Sequence, residues 1–320
     1  MELLKVENLK MYYKTIRGYV RAVDDVSFEV NKKDSLGIAG ESGCGKTSVA
    51  LAITRLLPTN GRIISGDITL AGENITKMSD KELRKKIRWK RISMIFQGAM
   101  NALHPTYTIG HQIAEAILTH EKVSKTEAFE RAEKLIELVG MKADRTKRYP
   151  HELSGGMKQR AVTAMALACN PDLIIADEPT TALDVIVAAQ VLNAMKDLRS
   201  RLDISMIVIS HDLSMIAEIC NRIAIMYAGK IVESGDLVSI YKEAEHPYTQ
   251  KLISAFPSVL GQKTELSSIH GFPPDLLTPP PGCRFHPRCP YATELCKTSE
   301  PELLEIGRKG HHVACHLHSR

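Results

Sequence analysis

Eight residues near the start of the chain could do chemistry together. Gly40-Glu41-Ser42-Gly43-Cys44-Gly45-Lys46-Thr47 fits G-x-x-x-x-G-K-[ST], a phosphate-cradling P-loop, and Ser48 follows directly. Glycines at these positions let the backbone curl until its N–H groups converge on an anion. Lys46 then offers a positive charge to terminal phosphates, and the Thr47 hydroxyl is placed to ligate Mg²⁺. The apolar run Ser35–Ala39 before the loop reads as a strand. Ser48–Leu57 after it reads as a helix whose positive dipole end faces the same anion. A chain of this length would match the pattern by chance about once in a hundred, and the flanking strand and helix lower that further.

A second constellation is Leu173-Ile174-Ile175-Ala176-Asp177-Glu178, an apolar strand ending in two carboxylates. Such a strand delivers them to the C-terminal edge of an open sheet, where ligands of α/β proteins bind. Asp177 would hold Mg²⁺ through water, and Glu178 would orient or deprotonate an attacking water. Without the P-loop, an acidic pair there is as often a helix cap. His211 ends another apolar stretch, Met206–Ser210, 33 residues after Glu178. A lone histidine at a strand end is usually surface polarity. Here it can reach the γ-phosphate and hold base and water in register.

The elements that must position these groups read as mixed α/β. Ser35–Ala39, Ile92–Phe96, Leu173–Ala176 and Met206–Ile209 are rich in Ile and Val and lack alternation. That suits strands buried on both faces of a mainly parallel sheet. Ser124-Lys125-Thr126-Glu127 has the form of a capping box. Phe129, Ala132, Ile136 and Val139 follow at helical spacing, and Gly140 can close the helix. Val187, Val191, Met195, Leu198 and Leu202 make a second stripe, and both stripes read as core packing. Ala99 to Leu167 reads almost wholly helical, an inserted subdomain in an α/β core.

With 320 residues, about two domains are expected. Apolar residues at 44% and charged residues at 25% exclude a disordered tail protein and a collagen-like repeat. Aromatics at 5% make the core mostly aliphatic. No apolar run approaches the ~18 residues that a membrane span needs. The opening MELLKVENLK lacks the basic start and apolar stretch of a signal peptide. The chain is therefore expected to begin in the cytoplasm and stay there. A net charge of +5 neither demands nor excludes an anionic partner.

Further segments, set beside these, resemble one family. Leu153-Ser154-Gly155-Gly156-Met157-Lys158-Gln159-Arg160 is similar to the signature motif of ABC ATPases. Gln97, after the strand Ile92–Phe96, matches their Q-loop, Ala182-Leu183-Asp184 their D-loop, and His211 their switch histidine. With the P-loop and Asp177-Glu178, six motifs stand in family order between about Leu3 and Gly235. The resemblance implies a P-loop (RecA-like) ABC nucleotide-binding fold with an antiparallel β subdomain and an inserted helical subdomain. It implies ATP and Mg²⁺ as ligands, with Gln97 and Asp177 joining Thr47 at the metal. Tyr13 would stack on adenine, although Tyr12 and Tyr19 lie close by. Two cassettes would pair head to tail, so that Ser154, Gly155, Gly156 and Asp184 meet the ATP of the partner. The residues themselves agree: Ser154-Gly155-Gly156 opens a helical pattern and exposes N–H groups, a second anion site.

Tyr149-Pro150-His151-Glu152, the run from Phe96 to Pro105, His246–Gln250 and a Cys-rich tail narrow the resemblance to ATPases of dipeptide/oligopeptide importers. Met157 after Gly156 looks like the D-type subunit. That implies an F-type ATPase partner, two transmembrane permease subunits, an extracytoplasmic binding protein, and a place on the cytoplasmic face of the membrane. Such importers also carry oligosaccharides or nickel. The alternative is a soluble ABC ATPase acting on nucleic acid or iron–sulfur assembly. Its support is the run Lys81 to Arg91, seven basic residues in eleven, which reads more simply as a solvated face.

Four of the seven cysteines, Cys283, Cys289, Cys296 and Cys315, crowd into the last 38 residues. In a reducing compartment they read as a metal site before disulfides. The spacing C-x5-C-x6-C-x18-C lacks the C-x2-C knuckle common in zinc sites, and thiolate-only ligation suits an iron–sulfur cluster. Zinc and disulfides remain the alternatives. The family resemblance implies a [4Fe–4S] cluster on these cysteines, read as a staple for a loop-rich tail. Phe272 to Gly282, with five prolines, reads as an extended spacer before them. The expected division is an ATPase core over residues 1–98 and 167–245, a helical signature subdomain over 99–166, and a C-terminal extension over 246–320.

Overall fold

A computed structural model of the chain describes residues 1–181, 183–255 and 269–318. Strands β1 (Glu2–Thr15), β2 (Gly18–Asn31) and β3 (Ser35–Ala39) lead into helix α1 (Lys46–Thr54), then β4 (Gly61–Leu70) and β5 (Glu73–Asn74). A single turn α2 (Asp80–Glu82) and strand β6 (Ile92–Ile95) precede α3 (Ile109–His120), α4 (Lys125–Leu138) and α5 (Gly155–Ala166). Next come β7 (Leu173–Asp177), α6 (Val185–Leu202), β8 (Ser205–Ser210), α7 (Leu213–Ile219), β9 (Arg222–Tyr227), β10 (Lys230–Asp236), α8 (Leu237–Lys242) and α9 (Pro247–Ser254). The last described elements are α10 (Glu294–Thr298), β11 (Leu304–Glu305) and β12 (His312–Val313).

The described residues form two compact units. The first draws on residues 1–3, 30–35 and 77–208. Its strands lie in the order β8-β7-β6, and β6 runs parallel to β7 with Ile92 opposite Leu173 and Ile95 opposite Ala176. Every residue of β7 and β8 is buried, as their unbroken apolar runs require. The expected helical insert is present as α3, α4 and α5 with short 3₁₀ turns between them. Each long helix starts on a side chain that accepts an N–H of its first turn: Thr108 for α3, Ser124 for α4, Ser154 for α5 and Asp184 for α6.

The apolar stripes hold with two corrections. In α4 the buried face is Ala128, Ala132, Leu135 and Ile136, while Phe129 is exposed. Positions 128, 132, 135 and 136 repeat at helical spacing, which turns 129 to the side. In α6, Val191, Met195 and Leu198 are buried and Val187 is half-buried, whereas Leu202 sits exposed at the final turn. The basic run begins in α2 and crosses a short irregular helix (Leu83–Ile87) that buries Leu83 and Ile87 and carries Arg84, Lys85 and Lys86. Asp80 pairs with Arg84 and Arg88, both at 2.8 Å, and Arg91 pairs with Asp172.

The second unit draws on residues 4–29, 36–76 and 209–320. One sheet, in the order β2-β1-β4-β5, is the antiparallel subdomain. Leu4 faces Leu70 and Val6 faces Ile68 across it, and all four are buried. The other strands lie in the order β11-β12-β10-β9-β3. β3 and β9 are parallel, β9 and β10 antiparallel, and β12 adds to β10 with Glu233 opposite Val313. The Cys-rich tail thus extends a sheet rather than hanging beyond it. The proline-rich spacer carries no helix or strand, and the Leu276 carbonyl accepts from Arg21 N–H at 2.9 Å. Among the described residues no helix is long and apolar enough to cross a membrane.

Candidate functional site

The phosphate loop lies in the second unit, between β3 and α1. All five residues of β3 are buried, which fixes one end of the loop. Gly45, the residue before α1, has φ 108°. A Cβ there would stand 2.0 Å from the Ala22 carbonyl oxygen, so only glycine fits both the backbone and the space. Lys46 is buried, and its Nζ donates to the carbonyl oxygens of Gly40 at 2.8 Å and Glu41 at 3.0 Å. The ammonium therefore lies within the curl of the loop, while Ser42, Gly43 and Thr47 face solvent. Cys44 is buried, and burial raises its thiol pKa above the ordinary value. Its side chain is therefore packing rather than a nucleophile.

Three tyrosines compete in sequence for the adenine position, and the structure separates them. The Tyr13 hydroxyl shares a hydrogen bond with Ser48 Oγ at 3.0 Å, which ties this ring to the first turn of α1. The Tyr12 hydroxyl donates to Asp24 at 2.6 Å. Burial and that carboxylate push the Tyr12 pKa up to about 12. Tyr19 is exposed on β2.

The carboxylates lie in the first unit. Asp177, the last residue of β7, is buried. Glu178 follows with φ 47°, left-handed backbone that a residue with a Cβ rarely adopts. Its Oε2 accepts from Gln97 Nε2 at 3.1 Å and from Thr181 Oγ1 at 2.8 Å. Gln97 and Glu178, 81 residues apart in sequence, are thus brought together on the exposed ends of adjacent strands. Such a carboxylate, oriented by an amide and a hydroxyl, suits a general base.

The signature segment completes this unit. Ser154 caps α5 by accepting from Met157 N–H at 3.4 Å, and Ser154 and Gly155 are exposed. A Cβ on Gly156 would stand 2.2 Å from Val187 Cγ1, so α5 and α6 start in contact. Asp184 caps α6 by accepting from Val187 N–H at 3.0 Å. Signature and D-loop are therefore one local structure. Ala182, part of the expected D-loop, lies outside the described residues. His211 stands exposed after β8, and the next residue, Asp212, caps α7.

Among the described residues no cysteine forms a disulfide, the four of the tail included. Cys283 is pushed up to about 11 by burial and by its neighbours Cys296, Cys315 and Cys289. Burial likewise raises Cys289 and Cys315. The expected metal site is not assembled: among the described residues no three His, Cys, Asp or Glu side chains are grouped to hold a metal ion.

Several residues escaped the sequence reading. Arg284 lies buried against Asp24 and the Ala228 carbonyl. Burial alone would raise the Asp24 pKa, but the Tyr12 hydroxyl and the Arg284 charge outweigh it and hold the carboxyl below its ordinary value. Arg288 and Tyr248 both reach Glu41 of the phosphate loop. The signal was present only as Cys-Arg-Phe-His-Pro-Arg-Cys, two arginines between two cysteines.

Known proteins resemble the chain over nearly its whole length. Residues 23–181 match the ABC transporter family. Residues 232–296 match the family described as "Oligopeptide/dipeptide transporter, C-terminal region". The chain is 44% identical over 319 residues to the dipeptide transport ATP-binding protein DppD of Bacillus subtilis (strain 168), covering 99% of this chain and 95% of that relative. It is 43% identical over 315 residues to the oligopeptide transport ATP-binding protein OppD of Salmonella typhimurium, covering 98% and 93%. Among solved structures, the dimeric ATP-binding cassette MJ0796 bound to ADP and Pi superposes with a TM-score of 0.65 at 26% identity, over 73% of this chain and 99% of that one. The chain has the ABC ATPase nucleotide-binding fold and belongs to the ATP-binding subunits of ABC transporters of the dipeptide/oligopeptide type.

Proposed function

We propose that this chain is the D-type ATPase of an importer for di- or oligopeptides, pairing with an F-type ATPase. The observation that carries this is near full-length kinship with dipeptide and oligopeptide transport subunits, including a matching C-terminal region. Backbone N–H groups of the phosphate loop, from Ser42 to Thr47, bind the phosphates of ATP, and Lys46 neutralises them. Tyr13 stacks on adenine. Thr47, Gln97 and Asp177 serve Mg²⁺, Asp177 through water. Glu178 takes the proton of the attacking water, oriented by Gln97, and His211 contacts the γ-phosphate. Ser154, Gly155, Gly156 and Asp184 act on the ATP of the partner subunit, so the lone chain hydrolyses slowly. ATP closes the pair and hydrolysis reopens it. Two permease subunits and an extracytoplasmic binding protein complete the assembly, and this chain sits peripherally on the cytoplasmic face of the membrane. A nucleic-acid role finds less support, because Asp80 and Asp172 already pair with arginines of the basic run.

Cys283, Cys289, Cys296 and Cys315 are proposed to hold a [4Fe–4S] cluster that staples the tail. The support is in the sequence: four cysteines within the last 38 residues, spaced without the C-x2-C knuckle common in zinc sites. Anaerobic purification with assay of iron, acid-labile sulfide and zinc tests this. About four irons and four sulfides support the cluster, and zinc alone refutes it.

Extraction of the chain from native membranes tests the transport reading. Co-purification with two integral membrane proteins and a second ATPase, with ATP-dependent peptide uptake in the reconstituted complex, is expected. A chain recovered only from the non-membrane fraction, with no such partners, would overturn it.

A further inference from the structure

One arginine of the tail grips the phosphate loop. Nη1 of Arg288 donates to Glu41 Oε2 at 2.6 Å and Nη2 to Oε1 at 3.0 Å, a fork-on-fork pair between residues 247 apart in sequence. The guanidinium is fixed in turn. Its Nη1 reaches the Tyr227 hydroxyl at 3.3 Å, and its Nε and Nη2 donate to the carbonyls of His270, Ile269 and Gly271. Its side chain is 5% exposed and that of Glu41 24%, so water screens the pair little. Two further bonds hold the same loop. The Glu41 backbone N–H donates to the Tyr248 hydroxyl at 2.9 Å. The Gly229 N–H donates to the Cys44 carbonyl at 2.8 Å.

A carboxylate at position 41 is unexpected on physical grounds. The loop exists to hold an anion, and a negative charge beside phosphates opposes binding by simple Coulomb repulsion. The charge becomes tolerable once a bidentate guanidinium neutralises it and fixes its direction. Lys46 Nζ, which must serve the phosphates, also rests on the carbonyl of this same Glu41 at 3.0 Å. Displacing Glu41 would therefore move the lysine's seat.

We propose that Arg288 is a positioning residue of the nucleotide site: by neutralising and fixing Glu41 it shapes the phosphate loop, and it makes ATP affinity depend on the folded Cys-rich tail. It acts through Glu41 and touches no phosphate itself. The inference stands on nucleotide binding alone and holds whatever the cargo and whatever the cysteines carry.

The test is calorimetric titration of MgATP into the full chain. Arg288→Ala leaves Glu41 uncompensated and weakens MgATP by about tenfold, the scale of one charged hydrogen-bonded pair. Adding Glu41→Gln removes the repulsive charge and recovers most of that loss, which a merely structural arginine would not allow. Arg288→Lys keeps the charge without the fork and falls between, and it serves if the alanine variant does not fold. Arg308→Ala, which breaks the tail pair with Glu243 (2.8 Å) away from the loop, leaves affinity unchanged. Parental affinity in Arg288→Ala or in Arg288→Lys overturns the proposal. So does failure of Glu41→Gln to rescue, or an equal loss in Arg308→Ala.

Discussion

Gln97 Nε2 donates to Glu178 Oε2 at 3.1 Å. Glu178 pays for this placement with left-handed backbone, φ 47°. Strain of that kind, about 1–3 kcal/mol, persists where the surroundings over-determine it and clusters at working sites. The contact joins two motifs 81 residues apart in sequence, the pair proposed above to handle the proton of the attacking water.

The contact of Gly156 with Val187 makes a sharp mutational test. A Cβ at 156 would meet Val187 Cγ1 at 2.2 Å, so Gly156→Ala must push the starts of α5 and α6 apart. The expected cost is about 1–3 kcal/mol, the usual price of overpacking. Thermal melting reads it. Adding Val187→Ala should restore most of the loss, and an unchanged melting temperature in Gly156→Ala would contradict the close approach.

The buried pair of Arg284 and Asp24 predicts a larger effect. The two side chains are 6% and 8% exposed. Arg284→Ala leaves the buried Asp24 carboxylate without its guanidinium partner, with the Tyr12 hydroxyl still donating to it at 2.6 Å. Removing one member of such a pair costs about 3–5 kcal/mol. The denaturant midpoint should fall accordingly, while a shift of under ~1 kcal/mol would mean the pair is solvent-relaxed.

Acid should weaken the second unit through His246. Burial, then the charge of His318, pushes its pKa down to about 3. Its Nδ1 accepts from Tyr248 N–H at 3.0 Å, which leaves the proton of the neutral ring on Nε2. The unfolded chain binds a proton near pH ~6.5 and the folded chain does not. Stability from this group is therefore full above pH ~6.5 and is lost as pH falls toward about 3, at up to about 1.4 kcal/mol per pH unit. His246→Asn keeps an acceptor for the cap and removes the titration. Its melting temperature should fall less steeply between pH 6 and pH 4 than that of the parent, and equal slopes would contradict the assignment.

What the sequence disclosed was local. The P-loop glycines, the Ser124 cap, the helix start at Ser154 and the apolar runs of β3, β7 and β8 act over a few residues, and each is present where the pattern put it. Phe129 was misplaced because its helix has two apolar flanks and only packing chooses between them. The grip of Arg288 on Glu41 and the pairing of β12 with β10 were invisible. They join residues tens to hundreds of positions apart, and no short-range spacing encodes such a meeting. The hydroxyl partners of Tyr13 and Tyr12, Ser48 and Asp24, were likewise beyond the reach of short-range spacing.

The most direct test of the central account is ATP hydrolysis by the assembled complex carrying Glu178→Gln, with ATP binding measured in parallel. The account predicts turnover reduced by about 10²–10⁴, the range for losing a general base, with ATP still bound. Turnover equal to the parent's would contradict it.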